Sequence, residues 1–355
     1  MYKYFERRGE QWRTAEQILH RNLPQQQSGD ATLSGHSQPH VIKFLHHTQK
    51  TLPRLERQMI VVTGATGRTG RAAAQALLAK GEKVRVVGRD AKKLAPLAEL
   101  GAEPFVGNVE NSASMTEGFT GASAVYLVLP EDISQQDLRA HQERVSDSYA
   151  AAISDAKVRF VVNLSSVGAQ HSKGTGPIVG LHNQEQKLNR VEGLNVLHLR
   201  AAYFMENLFM SMEPLRSMGA LPGGLRPDVP MPWIATKDIG EHAASRLAGR
   251  DFSGSTIQEL HGQRDISMRE AASIVGNAIG KPDLAYVQAP STMFGASLLQ
   301  MGLPKKTSEL IVEMCDGANA DLIVPQEERS GKNTTPTTLE SFVKNVFAPA
   351  YLQKA

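Results

Sequence analysis

Three glycines after a short apolar run could bind the phosphates of a dinucleotide. Gly64, Gly67 and Gly70 separate a valine-rich segment from the alanine-rich stretch 71–80, which predicts a strand, a tight turn and a helix. Gly64 suits the turn, Gly67 lets the main chain approach a pyrophosphate, and Gly70 lets helix and strand pack closely. The amides and dipole of the helix N-terminus favour an anion. The predicted phosphate-binding residues are Gly64, Thr66, Gly67, Arg68, Thr69 and Gly70.

A basic residue at the end of the second predicted strand indicates which dinucleotide binds. The stretch 83–87 alternates β-branched and basic residues and leads into Gly88, Arg89 and Asp90. In NAD-binding proteins an acid here accepts hydrogen bonds from the adenosine ribose, whereas an arginine suits the 2′-phosphate of NADP. We therefore predict NADP(H), bound through Arg89, with NAD(H) possible. In the alternative, Arg89 is a solvated charge and Asp90 faces the ribose.

Strands and helices alternate along the chain as far as residue 200. This alternation predicts an α/β fold of the Rossmann type, a doubly wound parallel sheet with residues 59–200 as the nucleotide-binding core. Ligands of such sheets lie beyond the carboxyl ends of the strands. The residues at those ends that we expect near the cofactor are Arg89, Asn108, Leu129, Ser165 and Ser166.

Residues 201–355 are predicted to form a smaller, mostly helical substrate lobe, from which the segment of about 233–262 returns to the sheet. Tyr203 and Phe204 begin a dense run of aromatic and methionine side chains, a composition that suits a flat apolar substrate. Trp233 could close this pocket. The alternative is that the run is simply core between two lobes. The polar stretch 326–338 is expected to be exposed.

Composition excludes several classes of protein. The chain has 355 residues, of which 41% are hydrophobic and 21% charged, enough for a substantial core. One cysteine excludes a disulfide framework, and no run approaches the roughly twenty apolar residues that cross a bilayer. We expect a cytoplasmic protein. Residues 1–58 carry nine basic and five acidic residues, a balance of +4 against +3 for the whole chain, so the remainder sums to −1. The body therefore lacks the charge of a nucleic-acid-binding protein.

The first 58 residues differ from the rest. They hold five of the eleven histidines and show no strand alternation, whereas Met59 begins the first predicted strand. We predict a disordered basic extension. No carboxylate or thiolate lies close to the histidines near residue 40, so we predict no metal site.

Five segments resemble the NmrA-like branch of the atypical short-chain dehydrogenase/reductases. The resemblance runs from Met59 to about Pro325. The segments are TGATGRTG from Thr63, NLSSVGA from Asn163, LRAAYFMENL from Leu199, PWIATKDIG from Pro232 and ELHGQRDISMREAA from Glu259. The resemblance implies an NAD(P)-binding fold and either quinone reductase activity or redox sensing without turnover.

The catalytic Tyr-x-x-x-Lys pair of the wider superfamily is absent after Ser165 and Ser166. His182 and Gln186 stand at that spacing instead, and some members of the branch carry lysine or histidine near this position. An imidazole there could protonate a carbonyl or quinone oxygen, so His182 and Ser166 are the candidate catalytic residues. Alternatively, His182 only binds the nicotinamide ribose or is an ordinary polar residue, and the serines only leave room for the cofactor ring.

Two functions follow from these patterns. The first is an NADP(H)-dependent oxidoreductase that reduces a small apolar quinone or carbonyl compound by direct hydride transfer, with no metal and no flavin. The second is a non-catalytic NAD(P)-binding sensor that acts through a regulatory protein partner. A homodimer is compatible with both.

Overall fold

The computed structural model describes residues 58–353. The predicted N-terminal extension, apart from Gln58, lies outside the described residues. Seven strands form one parallel sheet in the order β10-β6-β5-β4-β1-β2-β3, which confirms the predicted doubly wound Rossmann-type fold. The strands are β1 (Met59–Val62), β2 (Lys83–Gly88), β3 (Glu103–Val106), β4 (Ala122–Val128), β5 (Phe160–Ser166), β6 (Asn195–Ala201) and β10 (Ser255–Leu260).

Helices cover both faces of this sheet because its central strands are apolar on both sides. In β1, Ile60 and Val62 pack on one face and Val61 on the other. The first face holds α1 (Arg68–Ala79), α2 (Ala91–Glu99) and α7 (Thr236–Gly249). The opposite face holds α3 (Ser112–Phe119), α4 (Leu138–Asp155) and α5 (Ile178–Leu188).

Part of the C-terminal half completes the nucleotide-binding core. Strand β10 pairs with β6 at the edge of the sheet, and α7 packs directly on α1. A Cβ on Gly240 would lie 2.5 Å from the Cβ of Ala72 and 2.6 Å from the carbonyl oxygen of Thr69. Glycine at this position therefore lets the two helix backbones approach each other beside the glycine turn.

The second lobe has its own hydrophobic core, built from residues of 205–221, 266–284 and 339–348 around Trp233. Two small sheets frame it: β7 (Tyr203–Phe204), β9 (Met231–Ile234) and β11 (Asp265–Ile266) form one, and β8 (Leu221–Gly223) and β12 (Tyr286–Gln288) form the other. The helical segments are a 3-10 turn (Met205–Ser211), α6 (Met212–Met218), α8 (Met268–Ala278), α9 (Ser291–Gln300), α10 (Lys305–Asn319), α11 (Leu339–Phe342), a π-helical turn (Val343–Phe347) and α12 (Ala348–Leu352).

The prediction that the stretch 326–338 is exposed was wrong in part. Asn333 and Thr335 are buried because their backbone groups form hydrogen bonds with the backbone of His261. The amide of His261 donates to the carbonyl oxygen of Asn333, and the amide of Thr335 donates to the carbonyl oxygen of His261. We call residues 326–337 the C-terminal strap.

Candidate functional site

The glycine turn leaves no room for side chains at two of its three glycines. Gly64 adopts φ of +61°, which favours glycine, and its carbonyl accepts a hydrogen bond from the amide of Gly67 at 2.8 Å. A Cβ on Gly70 would lie 2.4 Å from that same carbonyl oxygen, closer than real contacts allow. The turn therefore brings backbone, rather than side chains, to the head of α1.

The start of α1 is suited to an anion. Gly67 occupies the N-cap position in an extended conformation, and no side chain caps the helix. The helix dipole adds partial positive charge at this end. Thr66 reaches the end of β2, since a Cβ on Gly88 would lie 3.2 Å from its Cγ2 atom. No capping side chain therefore occupies the head of α1, the kind of position at which helix N-termini bind anions.

Arg68 links the glycine turn to the second lobe. Its guanidinium lies over the Phe209 ring, 4.6 Å from the ring centroid. It also faces the partly buried carboxylate of Glu206, which accepts hydrogen bonds from the amide of Thr236 at 3.1 Å and from its hydroxyl at 2.6 Å. Burial raises the pKa of Glu206, and the nearby charge of Arg68 opposes that rise. The predicted cofactor residue Arg68 thus lies between the turn and the segment that follows Phe204.

At the end of β2, the side chains of Arg89 and Asp90 have different partners. Asp90 caps α2 by accepting a hydrogen bond from the amide of Lys92 at 2.9 Å. The Arg89 side chain is 51% exposed, and its Nη1 atom lies 3.8 Å from Oδ2 of Asp132. Because Asp90 is engaged by its own helix, Arg89 is the side chain at this strand end that remains accessible to an adenosine phosphate.

Two further strand ends differ in what they offer a cofactor. Asn108 is exposed and its side-chain oxygen accepts a hydrogen bond from the amide of Glu110 at 3.1 Å, which leaves its amide group for other contacts. Leu129, directly after β4, is buried. The predicted cofactor roles of both residues stay predictions.

Ser165 belongs to a buried ionic network. Its hydroxyl donates to Oε1 of Glu185 at 2.6 Å. Arg200 donates two hydrogen bonds to the same carboxylate, from Nε at 3.0 Å and from Nη2 at 2.7 Å. The sequence analysis did not identify Glu185. Arg200 could have indicated it, because an arginine in an otherwise apolar buried strand requires a partner. The network ties β5, β6 and α5 together below the candidate site.

His182 has a defined orientation in the second turn of α5. Its Nδ1 atom lies 2.8 Å from the carbonyl oxygen of Ala169, which can only accept, so Nδ1 carries a proton. The opposite ring atom, Nε2, is then the one that can exchange a proton. The hydroxyl of Ser166 donates to the carbonyl oxygen of Val167 at 2.9 Å. Ser166, Ala169 and His182 thus belong to one strand–loop–helix unit.

The predicted pocket residues of the second lobe are packed to different extents. Tyr203 and Phe204 are partly exposed, whereas Trp233 is 1% exposed. The indole N–H of Trp233 donates to the carbonyl oxygen of Ile266 at 2.9 Å, and its ring meets that of Tyr203 edge-on at 4.7 Å. This packing holds the Tyr203 ring against the buried Trp233 ring.

Two features are absent from the described part of the chain. Within residues 58–353, no group of three or more histidine, cysteine or acidic side chains is arranged to hold a metal ion. None of the helices formed by these residues is long and apolar enough to cross a bilayer. Cys315 is buried, and burial raises the pKa of its thiol to about 12.

Comparison with known proteins places this site in a family. A model of the NmrA-like family matches residues 56–342. The chain belongs to the NmrA-like family. This confirms the resemblance that the sequence motifs indicated.

Curated relatives of this NmrA-like chain include named reductases. The (4-alkanoyl-5-oxo-2,5-dihydrofuran-3-yl)methyl phosphate reductase of Streptomyces griseus is 26% identical over 285 residues, 78% of this chain and 95% of the relative. Quinone oxidoreductase 2 of Escherichia coli is 24% identical over 296 residues, 81% of this chain and 99% of the relative. These relatives support a general role as an oxidoreductase.

Solved structures share the fold. The NADPH-dependent quinone oxidoreductase of Escherichia coli, in complex with NADPH, superimposes with a TM-score of 0.69 at 21% sequence identity. The match covers 81% of this chain and 100% of the Escherichia coli chain. The triphenylmethane reductase of Citrobacter sp., in complex with NADP(H), has a TM-score of 0.66 at 20% identity and covers 81% of this chain and 99% of its own.

Proposed function

We propose that this NmrA-like protein is an NADP(H)-dependent oxidoreductase that reduces a small apolar quinone or carbonyl compound by direct hydride transfer. The observation that carries the proposal is the uncapped head of α1 behind a turn where Gly70 touches Gly64. Arg89 at the end of β2 supports NADP(H) over NAD(H), because the neighbouring acid is engaged as a helix cap. The solved relatives that carry NADPH or NADP(H) support the same choice.

The residues that would hold the dinucleotide follow the strand ends. The amides of the glycine turn and of α1 would bind the pyrophosphate, with Thr66 and Arg68 beside it. Arg89 would pair with the 2′-phosphate. The end of β5 at Ser166 would border the nicotinamide ring, which supplies a hydride when it is bound. No metal and no flavin form part of this proposal.

His182 would supply the proton. Reduction of a quinone to a hydroquinone consumes one hydride and one proton, and a carbonyl oxygen likewise takes up one proton as its carbon receives the hydride. The Ala169 carbonyl holds Nδ1, so Nε2 of the imidazolium would donate to the substrate oxygen and recover its proton from solvent.

The second lobe would bind the body of the substrate. Tyr203 and Phe204 follow β6 by two and three residues and so lie beyond the carboxyl end of the sheet. Aromatic surface of this kind suits a flat apolar ring. Trp233 would act indirectly, by fixing the Tyr203 ring through their edge-on contact.

The test is the oxidation of NADPH by simple quinones such as menadione, with wild type, His182→Ala and His182→Gln compared. Glutamine can still donate to Ala169 but cannot deliver a proton, so it separates positioning from chemistry. We expect both variants to lower kcat roughly a hundredfold while NADPH affinity stays within about twofold. Full activity in both variants would remove His182 from the mechanism.

A different outcome would point to the sensor. Tight NADPH binding without turnover of any quinone or carbonyl acceptor would contradict the enzymatic proposal and favour a dinucleotide-responsive regulator. Absence of binding to both nicotinamide nucleotides would contradict both functions.

A further inference from the structure

A cavity adjoins the loop that carries the Ala169 carbonyl. It has a volume of about 580 Å³ and is lined by residues 170–174 on one side and by Glu313 and Leu322 on the other. Its first residue, Gln170, is bonded directly to Ala169, whose carbonyl oxygen lies 2.8 Å from Nδ1 of His182. The cavity therefore opens one residue away from the group that orients the candidate proton donor.

The loop around this cavity is held against the second lobe by backbone contacts. A Cβ on Gly176 would lie 2.0 Å from the carbonyl oxygen of Leu310, and a Cβ on Gly317 would lie 2.2 Å from that of Gly174. Gly168, Gly174 and Gly176 all adopt positive φ. Glycines thus permit an approach that no other residue would allow. These close backbone contacts fix one wall of the cavity.

The chemistry of the lining is mixed. Lys173 contributes an exposed ammonium group, and His171 lies two residues before it in the sequence. Both side-chain polar atoms of Gln170 are buried, and neither has a hydrogen-bond partner among the described residues. Buried polar atoms are seldom left in this state, because an unmade hydrogen bond is costly. Gln170 therefore offers a donor and an acceptor to a polar group that enters the cavity.

The one carboxylate of the lining is already engaged. Glu313 accepts a hydrogen bond from the amide of Gly174 at 2.9 Å. The guanidinium of Arg139 also interacts electrostatically with Glu313. It donates a hydrogen bond to the carbonyl oxygen of Gly176 at 2.8 Å. Arg139, which also interacts with Glu143 and Asp137, offsets part of the negative charge of Glu313, and Lys173 adds a positive charge at the exposed rim of the cavity.

We propose that this cavity binds an anionic substituent (a carboxylate, sulfonate or phosphate) carried by the apolar substrate, with Lys173 and the Gln170 amide as its recognition groups and with Glu313 held away by its bond to Gly174. The proposal rests on the function proposed above and refines its substrate class. Leu322 would contact the apolar part, while the reducible carbonyl lies toward His182. An acidic quinone or carbonyl compound would then be preferred over a neutral one of the same size.

The experiment compares two quinones of similar ring size, neutral menadione and anionic 1,2-naphthoquinone-4-sulfonate. We expect Lys173→Met to raise KM for the sulfonate about fivefold, with kcat changed less than twofold. KM for menadione should stay within about twofold. Lys173→Arg keeps the charge and should restore sulfonate binding. Lys83→Met, at the opposite end of β2 and exposed, is the matched control and should behave as wild type.

A second measurement does not need turnover. Titration of the folded protein with naphthalene-2-sulfonate should show binding that weakens in Lys173→Met and in Gln170→Leu. Equal effects of Lys173→Met on both quinones, or no effect on the sulfonate, would overturn the inference. If neither quinone is reduced, the proposed function fails, while loss of sulfonate binding in these variants would still support the site.

Discussion

The side chains of Arg89 and Asp90 are neighbours with separate tasks. From sequence, either could face the adenosine ribose, and only the structure shows that Asp90 is engaged in capping α2. A capping carboxylate that turned to a ribose would leave the amide of Lys92 without its partner. The proposed preference for NADP(H) therefore rests on a local helix cap as much as on the arginine itself.

Arg89→Ser tests this assignment. Loss of a charge-assisted hydrogen bond at an exposed site should raise KM for NADPH about tenfold. KM for NADH should stay within about twofold, because NADH lacks the 2′-phosphate. Steady-state kinetics with both nucleotides checks the prediction, and Arg89→Lys should fall between wild type and serine. An equal loss for both nucleotides would contradict the assignment.

Helix α5 and strands β5 and β6 share a buried polar network on the side of the sheet away from α1. The amide of Asn163 donates to Nδ1 of His198 at 3.0 Å, and Nε2 of His198 donates to the side-chain oxygen of Asn189 at 2.9 Å. Burial lowers the pKa of His198 to about 4. The ring is therefore neutral in the native protein over the physiological range.

This network predicts a pH dependence of stability. In the unfolded chain, His198 binds a proton below its ordinary pKa of 6.5. In the native protein, its ring stays neutral until about pH 4. The free energy of unfolding should therefore fall as the pH is lowered from 6.5 to about 4, by up to about 3 kcal/mol for the whole shift. Chemical denaturation across this range, with His198→Gln as the non-titrating control, measures it. Identical pH slopes in the two proteins would contradict the prediction.

The sequence predicts the large elements well and the small ones poorly. The strands of the main sheet are β-branched runs bounded by glycine or polar turns, so their pattern is local. Strands such as β7 and β11 have two residues each, too few for any periodicity. The Glu185–Arg200 pair joins a helix to a strand, and a charge pattern along one element does not reveal it. The catalytic and cofactor assignments remain predictions for the same reason: they depend on distances between elements.

The C-terminal strap shows how polar residues can join two parts of the whole molecule. The buried carboxylate of Glu259, at the end of β10, accepts hydrogen bonds from the amides of Gln326 and Glu327, each at 2.9 Å. Asp238, in the first turn of α7, accepts from the hydroxyl of Thr337 at 2.7 Å and from its amide at 3.0 Å. The sequence alone predicts an exposed segment here, because the partners of the strap are acids about 70 to 100 residues away.

Glu259→Ala should release the strap. Burial opposes ionisation of Glu259, but the hydrogen bonds from His261 and from the strap amides outweigh it and hold the pKa of the carboxyl below its usual range. Without this acceptor, two strap amides and His261 lose a charged partner, and trypsin should cleave near Arg329 at least about tenfold faster under native conditions. Glu328→Ala, an exposed neighbour, is the control. Unchanged cleavage in Glu259→Ala would contradict this role.

The contact between Gly240 and the first turns of α1 also has a consequence for synthesis. The surface that α7 covers on α1, and the edge that β10 pairs with on β6, belong to elements made much earlier on the ribosome. Until about residue 260 has emerged, the nascent nucleotide-binding half presents an open sheet edge and an uncovered apolar helix. Folding of that half is therefore expected to wait for the later segment, and a chaperone that shields unpaired edges would act in this interval.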